Sequence, residues 1–403
     1  MSYFSYKPID TKNFCLAPWH SIFQHYDGTI SVCCQCPVSI KDKTLEEAMQ
    51  DERLKKIRRS FSNNVIPKEC EGCPTQMRKD ITNSIYMHLD EINLSEDFFS
   101  PILTDFLWSN KCNFACIGCS SSKSSTIENK YIDLFNNIYT QTTDIKNNYS
   151  IEERFDFLLK NRENVKWIHV SSAGEPWIQD QIHELLNFLL KHNFNKKTKL
   201  ASHTNGSILN YNGKYLIEYF KEWGEENSIV IMSQDGSGAR GEYVRYGYKD
   251  KIWLKTFESL KKNNINMYVH YCLNLFNCLY LKEDVEWFKN NCGDIDVHMR
   301  YWEHPFYFSV KYLQKIPEIY EQAKKVFLDN EYFFHEPQSA KEFLFSSVGF
   351  DELNFLNNNF TKTIFNFDET RNTNFLDTFD RLEELFLVHS SAAEKTFNIQ
   401  NLH

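Results

Sequence analysis

The chain is 403 residues long and 42% apolar, with 33 Phe and 21 Tyr. That length asks for two or three folding units, and that composition belongs to packed cores rather than disorder. A net charge of −9 argues against nucleic acid or an anionic membrane as partner. No run of about 18 apolar residues is present to span a bilayer, and no charged stretch leads into an apolar one as in a secretory signal. Most of the twelve cysteines fall in tight groups that suit metal better than disulfides, so a reducing cytoplasm is the expected setting.

Residues 1–97 are expected to form a small N-terminal unit, and they hold six of the twelve cysteines. "FCLAPWHSIFQHYDGTISVCC" spaces Cys15, Gly28 and Cys33 as C-x12-G-x4-C. Its "YDGTISV" reads as a hairpin with an Asp-Gly turn, folding Cys33 back towards Cys15. "TLEEAMQDERLKKIRRSF" reads as one helix, capped by Thr44 with Glu47. "ECEGCP" adds Cys70 and Cys73. Cys33 and Cys36 with Cys70 and Cys73 also form two C-x2-C pairs, a zinc-ribbon pattern, but with a long gap of 33 residues and with Cys15 left over. Cys34 and Cys36 lie close to the metal in either reading, and one could replace Cys33.

From residue 98 to 305 short apolar segments alternate with helical patterns. The predicted strands are "DFLW" (105–108), "KWIHVS" (166–171), "KLASHT" (199–204), "SIVIMS" (228–233), "INMYVHYCLN" (265–274) and "DIDVHMR" (294–300). Between them, "SIEERFDFLLKNR" opens with a capping box of Ser150 and Glu153. Four further stretches, "QDQIHELLNFLLKHN", "GKYLIEYFKEW", "KIWLKTFESLKKNN" and "LKEDVEWFKNN", repeat apolar residues at three- and four-residue spacing. Strands alternating with helices imply a parallel sheet with right-handed crossovers, either doubly wound or an incomplete (β/α)6 TIM-type barrel. "DIKNNYS" (144–150) reads as a loop. Residues 306–403 read as a mostly helical extension, with Pro317 in the first turn of a helix and the last dozen residues frayed.

"SNKCNFACIGCSS" follows the first of those strands and spaces Cys112, Cys116 and Cys119 as C-x3-C-x2-C. Three thiolates can hold three irons of a [4Fe–4S] cluster and leave the fourth iron open, whereas closed four-thiolate clusters mainly carry electrons. A catalytic zinc with one open position is the rival, though no His or carboxylate stands inside the array. In parallel α/β folds the loops after the strands line the active face.

This array, placed after a first strand, resembles the radical S-adenosylmethionine (radical SAM) superfamily. Other segments at strand ends are similar to the same family. "SSAGEP" (171–176) resembles its Gly-Gly-Glu motif, with Ala173, Gly174 and Glu175 in the three places, and implies a backbone cradle for the amino group of SAM. "TNGS" carries Asn205 after the third strand. "SQDGSGARGEYVRYG" resembles the Ser-x-Asp-Gly…Arg segment, which makes Ser233, Asp235 and Arg245 candidates to hold the SAM carboxylate or ribose. The family usually sets a bulky residue near adenine just before the third cysteine, and this chain has Gly118. The N-terminal cysteines resemble the half-sized twitch module, a relative of the SPASM domain. That resemblance implies an auxiliary [4Fe–4S] cluster on Cys15, Cys33, Cys70 and Cys73.

Period-2 alternation puts His270, Cys272 and Asn274 on one face of the fifth strand, and Asp296, His298 and Arg300 on one face of the sixth. His203 ends the third strand nearby. These polar faces suggest a substrate pocket, in which His270 and Arg300 contact substrate and Cys272 could donate a hydrogen atom. The resemblance implies an enzyme that cleaves SAM and abstracts a substrate hydrogen atom. With the auxiliary cluster as electron acceptor, the expected outcome is a two-electron oxidation of a small sugar-like or cyclitol molecule. A peptide-modifying enzyme that forms a crosslink or an epimer is the alternative. A binding or electron-transfer protein holding iron–sulfur or zinc without SAM chemistry is the reading from another class. A flavodoxin- or ferredoxin-like donor is the implied electron source.

Overall fold

All six strands expected in the central region form, and they align in one parallel sheet. The computed structural model describes residues 13–34, 36, 38–73, 75–133, 149–170, 173–303, 306–347 and 359–387. The strands are β1 Ser21–Gln24, β2 Ile30–Ser31, β3 Leu103–Phe106, β4 Trp167–Val170, β5 Lys199–Thr204, β6 Asn210–Tyr211, β7 Lys214–Tyr215, β8 Ser228–Ser233, β9 Met267–Leu273 and β10 Val297–Tyr301. β6 and β7 make a small hairpin; the other eight form one sheet in the order β10-β9-β8-β5-β4-β3-β1-β2. Every neighbouring pair runs parallel except β1 with β2. With β10 and β2 as its edges, the sheet is a partial TIM-type barrel carrying a helical extension. The "DFLW" strand begins earlier than expected, because Ile102 already bonds to the His20 carbonyl and its own carbonyl accepts from Trp167.

The N-terminal hairpin forms around Asp27 and Gly28, whose φ of 82° needs glycine. β1 then pairs in parallel with β3, from Ser21 opposite Leu103 to Gln24 opposite Phe106, so the N-terminal region extends the barrel sheet. That pairing left no sequence trace: β1 has four residues, all buried, and so shows no alternation.

The single helix expected from Thr44 onward is two, Leu45–Met49 and Glu52–Ser62. Thr44 and Glu47 do form the capping box. Asp51 starts the second helix by accepting from Arg53 N at 3.0 Å, held there by Lys43 at 2.8 Å. The box at Ser150 is only half made. Ser150 accepts from Glu153 N at 3.1 Å, but the Glu153 carboxylate accepts from Leu45 N at 2.8 Å and ties the two regions together.

Pro317 opens the helix Pro317–Asn330 as expected, and the helices Gln338–Phe345 and Asn359–Arg371 follow. Between them His335 pairs with the β10 edge, donating to Val297 O and accepting from Met299 N. One apolar core runs through all three regions, from Phe14 to Phe386. No helix among the described residues is long and apolar enough to cross a membrane. Residues 144–148, Ser171, Ser172 and the last dozen residues lie outside the described residues.

The two faces of the sheet differ. Ile168, Val170, Leu200, Val230, Met232, Val269, Leu273, Val297 and Met299 are buried in the core. The other face carries Asp105, His169, His203, Ser233, His270, Cys272, His298 and Arg300, all half-buried. That face is the polar lumen, as the alternation predicted.

Candidate metal and cofactor site

Cys112, Cys116 and Cys119 lie on the loop that leaves β3, and neighbouring segments fasten the loop along its length. Cys112 N donates to Ser125 Oγ at 3.1 Å, and its carbonyl accepts from Thr126 Oγ1 at 2.6 Å. Ser124 Oγ donates to Phe114 O at 2.6 Å. Ala115 N and Ile117 N donate to the Tyr246 and Val244 carbonyls, both at 2.9 Å. Phe114 N points at Cys112 Sγ, 3.4 Å away, a contact that suits a thiolate.

Burial pushes the Cys112 thiol up to about 12, while a hydrogen bond between Cys116 and Cys119 raises the first and lowers the second. Ordinary thiols in this setting stay protonated, and metal binding is what ionises them. The buried Arg245 guanidinium lies beside them. Burial alone would lower it, but the charges of Cys116, Asp235 and Cys119 hold it raised. Three thiols on one anchored loop, an amide aimed at sulfur and a buried cation are a donor set that fits an anionic iron–sulfur cluster. Among the described residues, no group of three or more His, Cys, Asp or Glu side chains converges as the ligands of a single metal ion do. A cubane spreads its thiolates over a wider shell than one ion.

The strand-end segments form the floor under this loop. Gly174 has φ of +72°, and a Cβ there would collide with the Lys111 carbonyl. Its amide donates to Lys123 O at 3.0 Å, and Glu175 N donates to Lys111 O at 2.8 Å. "AGEP" is therefore packed against the cysteine loop and is more than a strand-to-helix turn. Ala173 is buried, with its carbonyl taking the Gln179 amide at 2.9 Å. The Glu175 side chain, 1% exposed, accepts from Thr204 Oγ1 at 2.9 Å, Asn205 N at 2.5 Å and Trp177 N at 3.2 Å. Burial raises its carboxyl to about 7 against those three bonds. Its job is to join β4 to β5. Asn205 in turn donates to Asn113 Oδ1 at 3.0 Å, linking β5 to the cysteine loop.

Ser233 lies on the lumen face opposite His270. Asp235 is buried between Arg245 Nη1 at 2.8 Å and Cys272 N at 3.0 Å. Asp235 thus aligns Arg245 beneath the cysteines and pins β9.

In the lumen His169, His203 and His270 form a row, with ring centroids 5.6 and 5.2 Å apart. Burial, then neighbouring cationic groups, pulls His270 down to about 3 and also lowers His203, so both are neutral imidazoles. Burial raises the Cys272 thiol, with Asp235 adding to it, so this cysteine stays S–H. Arg300 is bound to Glu336 at 3.0 Å from the C-terminal extension. Two expected lumen residues are elsewhere. Asn274 lies past the end of β9, fully buried, donating to Cys272 O at 2.8 Å and accepting from Phe276 N. Asp296 precedes β10 and pairs with His335 at 2.9 Å near solvent.

Gly118 has a tertiary explanation. A Cβ there would come within 2.6 Å of the Trp302 indole, which follows β10. Trp302 fills the space a bulky residue would take, and its side chain also hydrogen-bonds the Cys272 thiol. Sequence reasoning missed Trp302. The glycine itself was the only signal that something else occupies its place.

A second thiol group surrounds a small pocket lined by Cys15, Cys33, Cys36, Cys70, Cys73 and Arg78. Cys36, a ligand in the zinc-ribbon reading and a substitute in the cluster reading, stands among the other four and shares a hydrogen bond with Cys70. Cys34 is exposed and outside the lining. Burial pushes Cys15 up to about 12. Arg78, itself buried, donates to the Cys73 carbonyl and to Thr75 Oγ1 at 3.2 Å, bringing a cation to the thiols. The pocket is near the end of β10: Cys73 adds to the burial and to the Glu303 charge that raise the Tyr301 phenol.

Residues 106–286 match the Radical SAM superfamily. No curated protein matches the sequence. Solved structures similar to this chain include anSMEcpe with bound AdoMet, at 16% identity and a TM-score of 0.41, covering 56% of this chain and 59% of that one. Another is SuiB of Streptococcus suis bound to the precursor peptide SuiA, at 12% identity and a TM-score of 0.40, covering 83% and 77%. Likeness at this level carries no inference about substrate. The cysteine loop, the Arg245 guanidinium and most of the floor beneath them fall within residues 106–286, the segment that matches the Radical SAM superfamily.

Proposed function

We propose that this protein is a radical SAM oxidoreductase that acts on a substrate held in the polar lumen. The observation that carries the reading is the anchored triad of Cys112, Cys116 and Cys119 with Arg245 buried beside it at the lumen end of the sheet. When bound to that triad, a [4Fe–4S] cluster with SAM supplies a 5′-deoxyadenosyl radical able to take a hydrogen atom from substrate. Gly174 and Ala173 provide the backbone edge for the SAM amino group. Arg245 and Ser233 offer charge and a hydroxyl to its carboxylate or ribose, and Trp302 stands where adenine needs an apolar wall. Neutral His270 and His203, with Arg300, orient the substrate and keep bulk water from the reacting carbon.

The second thiol pocket supports a two-electron oxidation, because an auxiliary cluster there could accept the remaining electron. Cys15, Cys33, Cys70 and Cys73 are the proposed ligands, with Cys36 close enough to replace one of them. Residues 1–97, 98–305 and 306–403 are proposed as the three functional units. The substrate is proposed to be a small sugar-like or cyclitol molecule, and the electron source a flavodoxin- or ferredoxin-like protein. One observation favours a second reading. The protonated Cys272 thiol on the lumen face suits hydrogen-atom donation to a substrate radical, as in epimerisation of a peptide residue.

Anaerobic reconstitution with iron and sulfide, then reductant and SAM, tests the main reading. About eight irons per chain and formation of 5′-deoxyadenosine are expected. Bound zinc with only about four irons would replace the auxiliary cluster by a zinc ribbon. Product made in deuterated water separates oxidation from epimerisation: deuterium incorporated by wild type and lost in Cys272→Ala marks the thiol as donor.

A further inference from the structure

A buried side chain of the C-terminal extension reaches the cysteine loop. Arg371 ends the helix Asn359–Arg371, and its Nη2 donates to the Ala115 carbonyl at 2.6 Å across 256 residues of sequence. Its Nη1 reaches the Tyr243 carbonyl at 3.5 Å. Ala115 belongs to the cysteine loop, and Tyr243 to the segment that carries Arg245. Those two segments already pair through Ala115 with Tyr246 and Ile117 with Val244. Arg371 closes the end of that short ladder. The residue is 6% exposed, with its guanidinium over the Phe367 ring at 4.4 Å and the Tyr246 ring at 4.6 Å. Burial pulls it down to about 10 while Tyr243 and then Cys116 work the other way, so it stays cationic at neutral pH and feels the second cysteine.

We propose that Arg371 is a positioning residue for the SAM-binding cluster, fixing the backbone between Cys112 and Cys116 and setting a buried positive charge beside the ligands. The inference rests on Cys112, Cys116 and Cys119 being cluster ligands. Its physical content is twofold. A charge-assisted bond to the Ala115 carbonyl resists opening of the loop. A nearby cation in a low-dielectric site favours the reduced, more negative state of the centre.

The test uses the full chain, reconstituted anaerobically, as wild type, Arg371→Gln and Arg371→Lys. Three quantities are read: iron release to a chelator, the EPR-monitored midpoint potential, and the EPR change on adding SAM. Both variants are expected to release iron about tenfold faster, since each loses a buried bond to a charged donor. Arg371→Gln is expected to have a lower midpoint potential, and Arg371→Lys to keep that of wild type. Wild-type iron release and potential in Arg371→Gln overturn the proposal. Should that variant not fold, wild-type iron release in Arg371→Lys overturns it instead. A SAM-responsive EPR signal that survives Cys112→Ala sinks the cluster assignment itself. If that signal is lost in Cys112→Ala and the Arg371 variants match wild type, only the present inference fails.

Discussion

The chain holds two groups of cysteines that are built in opposite ways. Cys112, Cys116 and Cys119 share one loop of eight residues, whose backbone is fastened by Ser124, Ser125, Thr126 and the Val244–Tyr246 segment. The N-terminal group collects five thiols from three separate segments around a pocket. The first supplies too few ligands to close a cluster, and the second supplies one more than a closed cluster needs. An open centre suits a site that must bind a cofactor; a closed one suits electron storage. Both have an arginine next to the sulfurs, the largely buried Arg245 in one and the buried Arg78 in the other, a cation that would offset the charge of the proposed anionic centres.

The largest way to break this comparison is to remove one ligand from each group. Cys112→Ala is expected to abolish 5′-deoxyadenosine formation and to lower iron by about four per chain. Cys70→Ala combined with Cys36→Ala, which leaves no spare thiol, should lose a similar amount of iron yet still cleave SAM, now uncoupled from product. Analysis of iron, 5′-deoxyadenosine and product in the two variants checks both. Equal loss of SAM cleavage would mean that the groups are not separate in function.

Two smaller changes sharpen what holds the open loop. The metal-free chain is expected to lose stability as pH rises from about 4.5 towards 7, because burial raises the Glu175 carboxyl to about 7 and ionising it then costs up to about 3 kcal/mol. Urea unfolding across that range should show the slope, and Glu175→Gln should flatten it. Gly118→Phe should destabilise by about 1–3 kcal/mol through overpacking against Trp302. Pairing it with Trp302→Ala should recover much of that loss. Additive losses in the double variant would mean that the indole does not fill the glycine's space. The smallest effect concerns the N-terminal group: Asp51→Ala removes a helix cap and should cost about 1 kcal/mol in the same measurement.

Particular residues show how much was legible beforehand. β5 and β8 have the bounds that the apolar patterns predicted, and His270, Cys272, His298 and Arg300 share the lumen face that alternation assigned. Asn274 does not join them, since the strand ends at Leu273 and its side chain closes the following turn. The break at Asp51 was hidden because "QDERL" continues a good helical pattern, and only the pull of Lys43 and Arg53 makes Asp51 a cap. At the site, Glu175 was recognisable, but its partners Thr204 and Asn205 lie at the end of another strand and just beyond it.

The sequence by itself determined what depends on neighbours a few residues apart. That covers the C-x3-C-x2-C spacing, the Asp-Gly hairpin, the Thr44 cap and the polar and apolar faces of the barrel strands, because turn chemistry and side-chain period are local properties. Only the tertiary structure decided that β1 joins the barrel sheet, that Cys36 and not Cys34 lines the N-terminal thiol pocket, that Trp302 fills the space at Gly118 and that Arg371 clamps Ala115. Each of these is a contact between distant segments, set by where close-packed elements leave room and where a buried polar group finds its partner.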